Sequence, residues 1–465
     1  MKKLITLALV FSCFIASSQI IYVNTLTGND TNTGLSATQG SGSAGPKKTI
    51  SGQDGGISVL TAGEILSVEA GNYNENVIID KNLQLIKTGT GAVELASLTL
   101  SQSAKIIGNQ PADGAFLAPV VTINAGSSIS EGLQLLKTGG VINVNAGVYD
   151  EQLTFTKTCY LNGLQEPVIR NLVLDGGSIV VTLEGSVRIS GTLQLNRPAG
   201  GIIETSSYNL ILNDGASTTP GNASSYVRTS GTGNLVVEGL SNALTVFPVG
   251  TASGYAPVLI DDNNNTGETI RVRVRQAGNV LSFNPDLLPT INSHITLEWT
   301  IGESIAGGNN AVVRFEYTGA NEPSDWNTVA NRIIGRNPTG VWISGDNSAI
   351  GEGFASAGFT ELSGTFAVYS DFPNAIQTNG FAQDLRVFPN PFANELFIDY
   401  TADKSELLTI QLLDLNGRLV SSTASSTVSG KNVLTVNSFD QLSSGMYLLK
   451  LIGSEGVYTS RVVKN

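Results

Sequence analysis

Histidine is almost missing from this chain: there is one, His294, in 465 residues. That rules out chemistry built on paired imidazoles, in catalysis or in metal binding. Cysteine is equally scarce. Of the two, Cys13 lies in an N-terminal apolar stretch and Cys159 stands far inside the chain. Once that stretch is removed no intramolecular disulfide is available, so packed cores and backbone ladders must supply the stability. With no His near it in sequence, Cys159 reads as a small buried hydrophobe in a strand and not as a nucleophile. Charge is thin: Asp, Glu, Lys and Arg make up 14% of the chain, well below the usual quarter, and the formal net charge is −12. Such a surface is repelled by a phosphate backbone, which excludes nucleic acid as a partner. Long apolar runs are lacking apart from residues 4–15, too short to span a bilayer, so no transmembrane segment is expected.

What is present points outward from the cell. Met1-Lys2-Lys3 is positive, residues 4–15 are apolar, and Ala16-Ser17-Ser18 supplies small residues before Gln19. This is the pattern of a secretory signal peptide over residues 1–18, to be left out of the fold. A lipoprotein cleavage before Cys13 is the alternative, and bulky Phe11 two residues upstream argues against it. Gly is plentiful at 52, and Thr, Ser, Asn, Val and Ile are common. Together they suggest an extracellular all-β chain, long enough for two or three domains.

Residues 19–240 contain a duplication. Ile57, Leu60, Gly63, Ile65, Val68, Ala70, Gly71, Tyr73, Glu75 and Val77 recur in one frame as Leu133, Leu136, Gly139, Val141, Val144, Ala146, Gly147, Tyr149, Glu151 and Leu153. The frame continues through Lys81/Lys157 and Leu85/Leu161, a constant offset of 76 residues (81 to 157). Each unit reads as a short amphipathic helix (residues 127–138 in the second copy, ended by Gly139-Gly140), then a strand at 141–144. A corner follows, with Gly147 free to take positive φ. Short strands come next: 77–79, 83–86, 98–100 and 105–107 in the first unit. In the second they are 153–155, 172–174, 179–183, 187–189, 193–195, 202–203 and 210–212. Strands this short, separated by Gly/Asn/Asp/Ser turns, cannot make a wide flat sandwich. They can stack coil on coil as a solenoid.

The opening around Ile21-Tyr22-Val23, Gly28 to Ser36 and Pro46 to Ile50, with the Ala-Gly-x-Tyr-x-Glu corner, resembles secreted right-handed parallel β-helix proteins of the pectin-lyase type. The resemblance implies that fold; it does not fix a function. Pectin methylesterases need later Gln, paired Asp and Arg motifs, and none is found. Polygalacturonases need clustered Asp and a Gly-His-Gly, and His294 lies outside the region. Lyases need an Asp-rich calcium site beside a base. Asp175 and Glu184 with Arg170, Arg188 and Arg197 come nearest; widely spaced charges of this kind usually solvate a surface. Tyr73 and Tyr149 read as corner packing.

From residue 241 to 372 the strands lengthen and alternate, as in Arg271-Val272-Arg273-Val274-Arg275, which predicts an antiparallel β-sandwich. All three tryptophans lie here. Trp299 and Trp342 sit inside alternating strands and are expected in the core. Trp326, in the Pro323-Ser324-Asp325-Trp326-Asn327 loop, is the expected ligand-binding aromatic. No cofactor is expected. Calcium is the one metal left open, through the oxygen-rich run Asp261-Asp262-Asn263-Asn264-Asn265, which reads first as a solvated hairpin tip. Residues 373–383 form a linker.

Residues 384–465 read as a small Ig-like sandwich. Leu396, Ile398 and Tyr400 share one strand face, and Asn416-Gly417 between apolar runs marks a hairpin. Four ordered motifs stand here: Val387-Phe388-Pro389-Asn390-Pro391, then Asp414 to Gly417-Arg418, then Leu442 to Gly445 and Tyr447, then the basic end from Arg461 to Lys464. They resemble the type A C-terminal sorting domain of the type IX secretion system. The resemblance implies an address read by the type IX translocon and sorting machinery, and delivery through the periplasm to the outer-membrane cell surface or the medium. The expected function is a non-catalytic, glycan-binding or adhesin-like protein, with surface polysaccharide as partner. A β-helix polysaccharide lyase or hydrolase and a structural spacer are the alternatives.

Overall fold

The computed structural model describes residues 18–240, 244–262, 267–277, 294–305, 310–323, 326, 332–337, 343–344, 346–351, 353–370, 386–402, 404–414, 418–437, 442–453 and 456–465. The residues expected to form a signal peptide (apart from Ser18), the Asn263-Asn264-Asn265 run, Trp342, residues 373–383 expected as a linker, and Gly417 lie outside these residues.

The first part is a parallel β-solenoid of about eight turns. Alternation puts every second side chain inward, and parallel pairing sets those residues above one another. One ladder runs Val77, Leu98, Val121, Ile142, Leu161 and Leu183. A second runs Cys159, Val181, Ile203, Val227 and Val249. All are buried. Each side chain of this size contributes about 1.5–3 kcal/mol on burial, and each rung packs on its neighbours alone, which is how a chain without disulfides stabilises an elongated core.

The duplicated frame has a physical basis. Helix α1 (Gly56–Val59) and helix α2 (Ile129–Leu135) sit at matching places in the two copies. The Glu151 carboxylate accepts from the amides of Ile129 (2.7 Å) and Ser130 (3.2 Å) and from the Ser128 hydroxyl (2.8 Å), at the N-terminus of α2. Glu75 accepts from the amides of Ile50 and Ser51 ahead of α1. Lys157 donates to the Leu136 carbonyl, and Lys81 to those of Ile57 and Leu60, past the other ends. At α2 an acid thus stands at the unpaired N-terminal amides and a base at the carbonyl just past the last residue, as helix ends favour, whereas the Glu75 bonds fall in the segment ahead of α1 and not at its own first turn. The corner tyrosines bond back to carbonyls four residues upstream, Tyr73 to Glu69 and Tyr149 to Asn145.

Several local expectations are corrected. Helix α2 stops at Leu135, short of residue 138, because Leu136 pairs with Ala118 and starts strand Leu136–Val144. Gly139 (φ +78°) therefore lies inside a strand and does not end the helix. Gly147 does not take positive φ. It is glycine for space: an added Cβ would stand 3.3 Å from the Ala125 Cβ and 3.4 Å from the Tyr149 ring. The strands expected at 172–174 and 179–183 are one strand, Val168–Leu183, irregular between Asp175 and Val180.

Nor do the sheets break at residue 241. Strand Val249–Thr251 still pairs in parallel with Ser225–Arg228, and Leu235–Val237 pairs antiparallel with Ile270–Gln276. The last coil would otherwise leave an open edge, and the antiparallel strand covers it. From that strand the sheet continues antiparallel to Leu297–Glu303 and then to Gly364–Ser370. A second antiparallel sheet holds Thr245–Phe247, Val258–Asp262, Ala311–Glu316, Phe354–Phe359 and Asp346–Gly351. Trp299, Phe315 and Phe366 form the core here, with centroids 4.8 and 5.3 Å apart, and the Trp299 indole donates to the Ala256 carbonyl.

The C-terminal region is a separate small sandwich. One sheet is Arg386–Phe388, Glu395–Ala402 and Gly430–Asn437; the other is Leu419–Ser426, Leu407–Leu413, Gly445–Gly453 and Gly456–Lys464. Phe392, Leu396, Ile398, Tyr400, Leu449 and Val462 are among its buried core.

Candidate functional site

The opening motif of the C-terminal sandwich is built against its last strand. Val387 pairs with Ile398 and Phe388 with Phe397, the two phenyl rings stacking at 5.7 Å. After Pro389 the chain turns, and the Asn390 side chain does a strand's work: its Nδ2 donates to the Arg461 carbonyl (3.1 Å) and its Oδ1 accepts from the Val463 amide (2.8 Å). Beyond Pro391, the Phe392 amide donates to the Val463 carbonyl (2.7 Å), and the Asn465 amide donates to the Phe392 carbonyl (2.9 Å). Phe392 is fully buried, and the Lys464 ammonium lies 6.0 Å from its ring centroid. The first and last motifs are therefore one structural unit.

The two middle motifs are local. Asp414 holds Arg418 three ways: its amide donates to the Arg418 carbonyl (3.0 Å), and its carboxylate accepts from the Arg418 amide (2.9 Å) and from the Arg418 guanidinium (3.0 Å). Gly445 starts its strand opposite Lys464 with φ +157°. The Tyr447 hydroxyl donates to the Ser443 carbonyl (2.7 Å), a tyrosine corner. Arg418 is 81% exposed at its side chain, so a cation paired with Asp414 stands at the surface of this motif.

In the solenoid the five charged residues singled out from the sequence do not converge. Among the described residues, Asp175–Arg197 (3.0 Å) is the one contact within the set. Arg170 pairs with Asp150, and Glu184 is exposed in the bend just after strand Val168–Leu183. Arg188 bridges Glu166 and Glu238, each at 2.9 Å, and also reaches Asn213. Burial pulls its guanidinium down, and the bonds from Glu238 and Glu166 more than reverse that, so it sits above its ordinary value. Arg170–Asp150, Arg188–Glu166 and Asp175–Arg197 join neighbouring coils, and Arg188–Glu238 reaches two coils on, past Asn213. They act as outer rungs and do not assemble an acid and a base around a substrate.

Trp326 is corrected as an exposed stacking aromatic: it is 1% exposed, and a sugar platform needs an open face. Trp299 is buried as expected. Burial pushes the Cys159 thiol up to about 12, against the opposing pull of Lys157, which suits an inert core residue.

One feature escaped sequence reasoning. A cleft of about 330 Å³ lies between α2 and strand Val148–Phe155. Ser130 and Gln134 on α2 line it, with Gln152, Thr154, Thr156 and Lys157 on the strand side and Asp113 from the preceding loop. Lys157 is tied to the Asp113 carboxylate and the Leu136 carbonyl. Comparison of the two copies position by position would have flagged it. Gln134, Gln152, Thr154 and Thr156 stand where the first copy has Ser58, Asn76, Ile78 and Asp80.

Residues 386–465 match the model of a family described as a secretion system C-terminal sorting domain. No curated protein matches the chain. The match spans all four motifs. The tail is a type IX sorting domain, and it directs export to the cell surface or the medium through the type IX machinery.

Proposed function

We propose that the exported chain is a non-catalytic glycan-binding protein of adhesin type, its solenoid and sandwich acting as a rigid presenting body. The observation that carries this reading is how the solenoid's polar side chains are used. Its arginines are held by carboxylates of adjoining coils, which neutralises them in place. On another sheet of the solenoid run uncharged amides and hydroxyls in register: Asn162 donates to Asn143, and Asn143 to Thr122. Neutral donors and acceptors on a stiff frame suit hydroxyl-rich polymers, and an acidic chain favours uncharged over anionic ones.

The runner-up, a polysaccharide lyase or hydrolase, would have to draw on Arg188 with Glu166 and Glu238, where a cation lies between two carboxylates. Co-sedimentation of the full chain with insoluble polysaccharides tests the choice, with the supernatant followed for reducing ends and unsaturated uronides. Retention without product is the expected result. Product formation makes the chain an enzyme, and absence of both retention and product makes it a spacer.

A further inference from the structure

We propose that the cleft between α2 and strand Val148–Phe155 holds one pyranose ring of a neutral glycan. This rests on the glycan-binding reading and gives it a place. The cleft, about 330 Å³, lies at the small end of the range for ligand sites, which fits a single ring better than a length of chain.

Its chemistry points to a hydroxylated, uncharged guest. The Gln134 Oε1 is buried and, among the described residues, accepts no hydrogen bond. A buried acceptor without a donor is costly, and most are satisfied by protein or by something that enters. A sugar hydroxyl is such a donor. Around it stand the Gln152 amide and the Ser130, Thr154 and Thr156 hydroxyls, groups that donate and accept as vicinal hydroxyls do. The one cation, Lys157, is already tied to Asp113 and to a backbone carbonyl, so no free positive charge waits for a uronate carboxylate.

The duplication supplies an internal control. Positions that hold the fold are shared: Glu75/Glu151, Lys81/Lys157 and Tyr73/Tyr149 make matching contacts in both copies. Positions that line the cleft differ together. A serine and an asparagine become the longer amides Gln134 and Gln152, an isoleucine becomes Thr154, and an aspartate becomes Thr156. The second copy thus gains amide and hydroxyl groups and sheds a carboxylate at one spot, which packing of the coils alone does not require.

The test is calorimetric titration of the full chain with cellohexaose, laminarihexaose and mannohexaose, and with a hexamer of galacturonic acid as the anionic arm. Gln134→Leu and Gln152→Ala are titrated beside it, each checked for an unchanged melting temperature. The expected result is binding of at least one neutral hexamer, weakened by about threefold to tenfold in each variant. Equal binding by chain and variants overturns the proposed site and leaves the glycan-binding reading standing. Preference for the galacturonate hexamer overturns the neutral assignment. Retention on insoluble polysaccharide with no binding of the neutral hexamers also overturns this site alone, and failure of both removes the reading with it.

Discussion

The side chain of Asn390 accepts a hydrogen bond from the backbone amide of Val463 at 2.8 Å, across 73 residues of sequence. With the reciprocal bond to the Arg461 carbonyl, it fastens the chain's last strand to the motif that opens the sorting domain. A partner that reads the strand at Arg461 to Val463 therefore meets Asn390 beside it.

Asn390→Ala removes both bonds, which are exposed to solvent, so the expected loss of domain stability is about 1 kcal/mol. The local effect is larger than the global one. Hydrogen exchange at the Val463 amide should accelerate well before that of core strand Gly445–Gly453, and export of the chain should fall. Unchanged protection at Val463 would show that the latch is not needed to hold the strand.

Deletion of residues 384–465 leaves the solenoid and sandwich without an address. The expected outcome is accumulation in the periplasm, read by fractionation and immunoblotting. Delivery of the truncated chain to the surface or medium would contradict the role of the tail.

Cys159 should be silent. With its thiol pushed up to about 12 by burial, the thiolate population near neutral pH is negligible and reagent has no path to it. With residues 1–18 removed, so that Cys159 is the one cysteine left, native protein should leave an aromatic disulfide reagent unreacted, and one thiol should appear on addition of denaturant. Rapid labelling of the folded chain would mean that the solenoid core opens at that rung.

Glu131 carries a pH dependence. Burial raises its carboxyl above the ordinary value; the Ile106 amide it accepts from lowers it, and nearby Glu151 raises it further. The folded state thus holds this proton more tightly than the unfolded one. The stabilisation is complete below the unfolded value, about 4.3, and is lost as pH rises through the higher folded value. Glu131→Gln keeps an acceptor for Ile106 and abolishes the titration. The melting temperature of the variant relative to the parent should rise across that window; a gap constant with pH would refute the assignment.

Much of this was legible in the residues. The short strands around Leu98 and Ile142, the repeated Glu, Lys and Tyr positions, and the four ordered tail motifs are local patterns, and local patterns survive in a linear string; strand Phe116–Ile123 was not read from the sequence. The end of helix α2 was not legible, since Leu136 leaves the helix to pair with Ala118, a partner supplied by the coil beneath. The same holds for Trp326, whose loop composition suggested exposure while the folded chain covers it.

The sequence by itself determined that the chain is all-β, coils in its first half and bears an export address at its end, because side-chain alternation, turn chemistry and motif order are properties of neighbours along the chain. Only the tertiary structure decided that Asp175 and Arg197 neutralise each other, that the sheets run on past residue 241, and that a glutamine of helix α2 and a glutamine of strand Val148–Phe155 border one cleft. Those outcomes depend on which coil stacks on which and in what register. Register is set by the sum of many inward contacts, which no single stretch of residues carries.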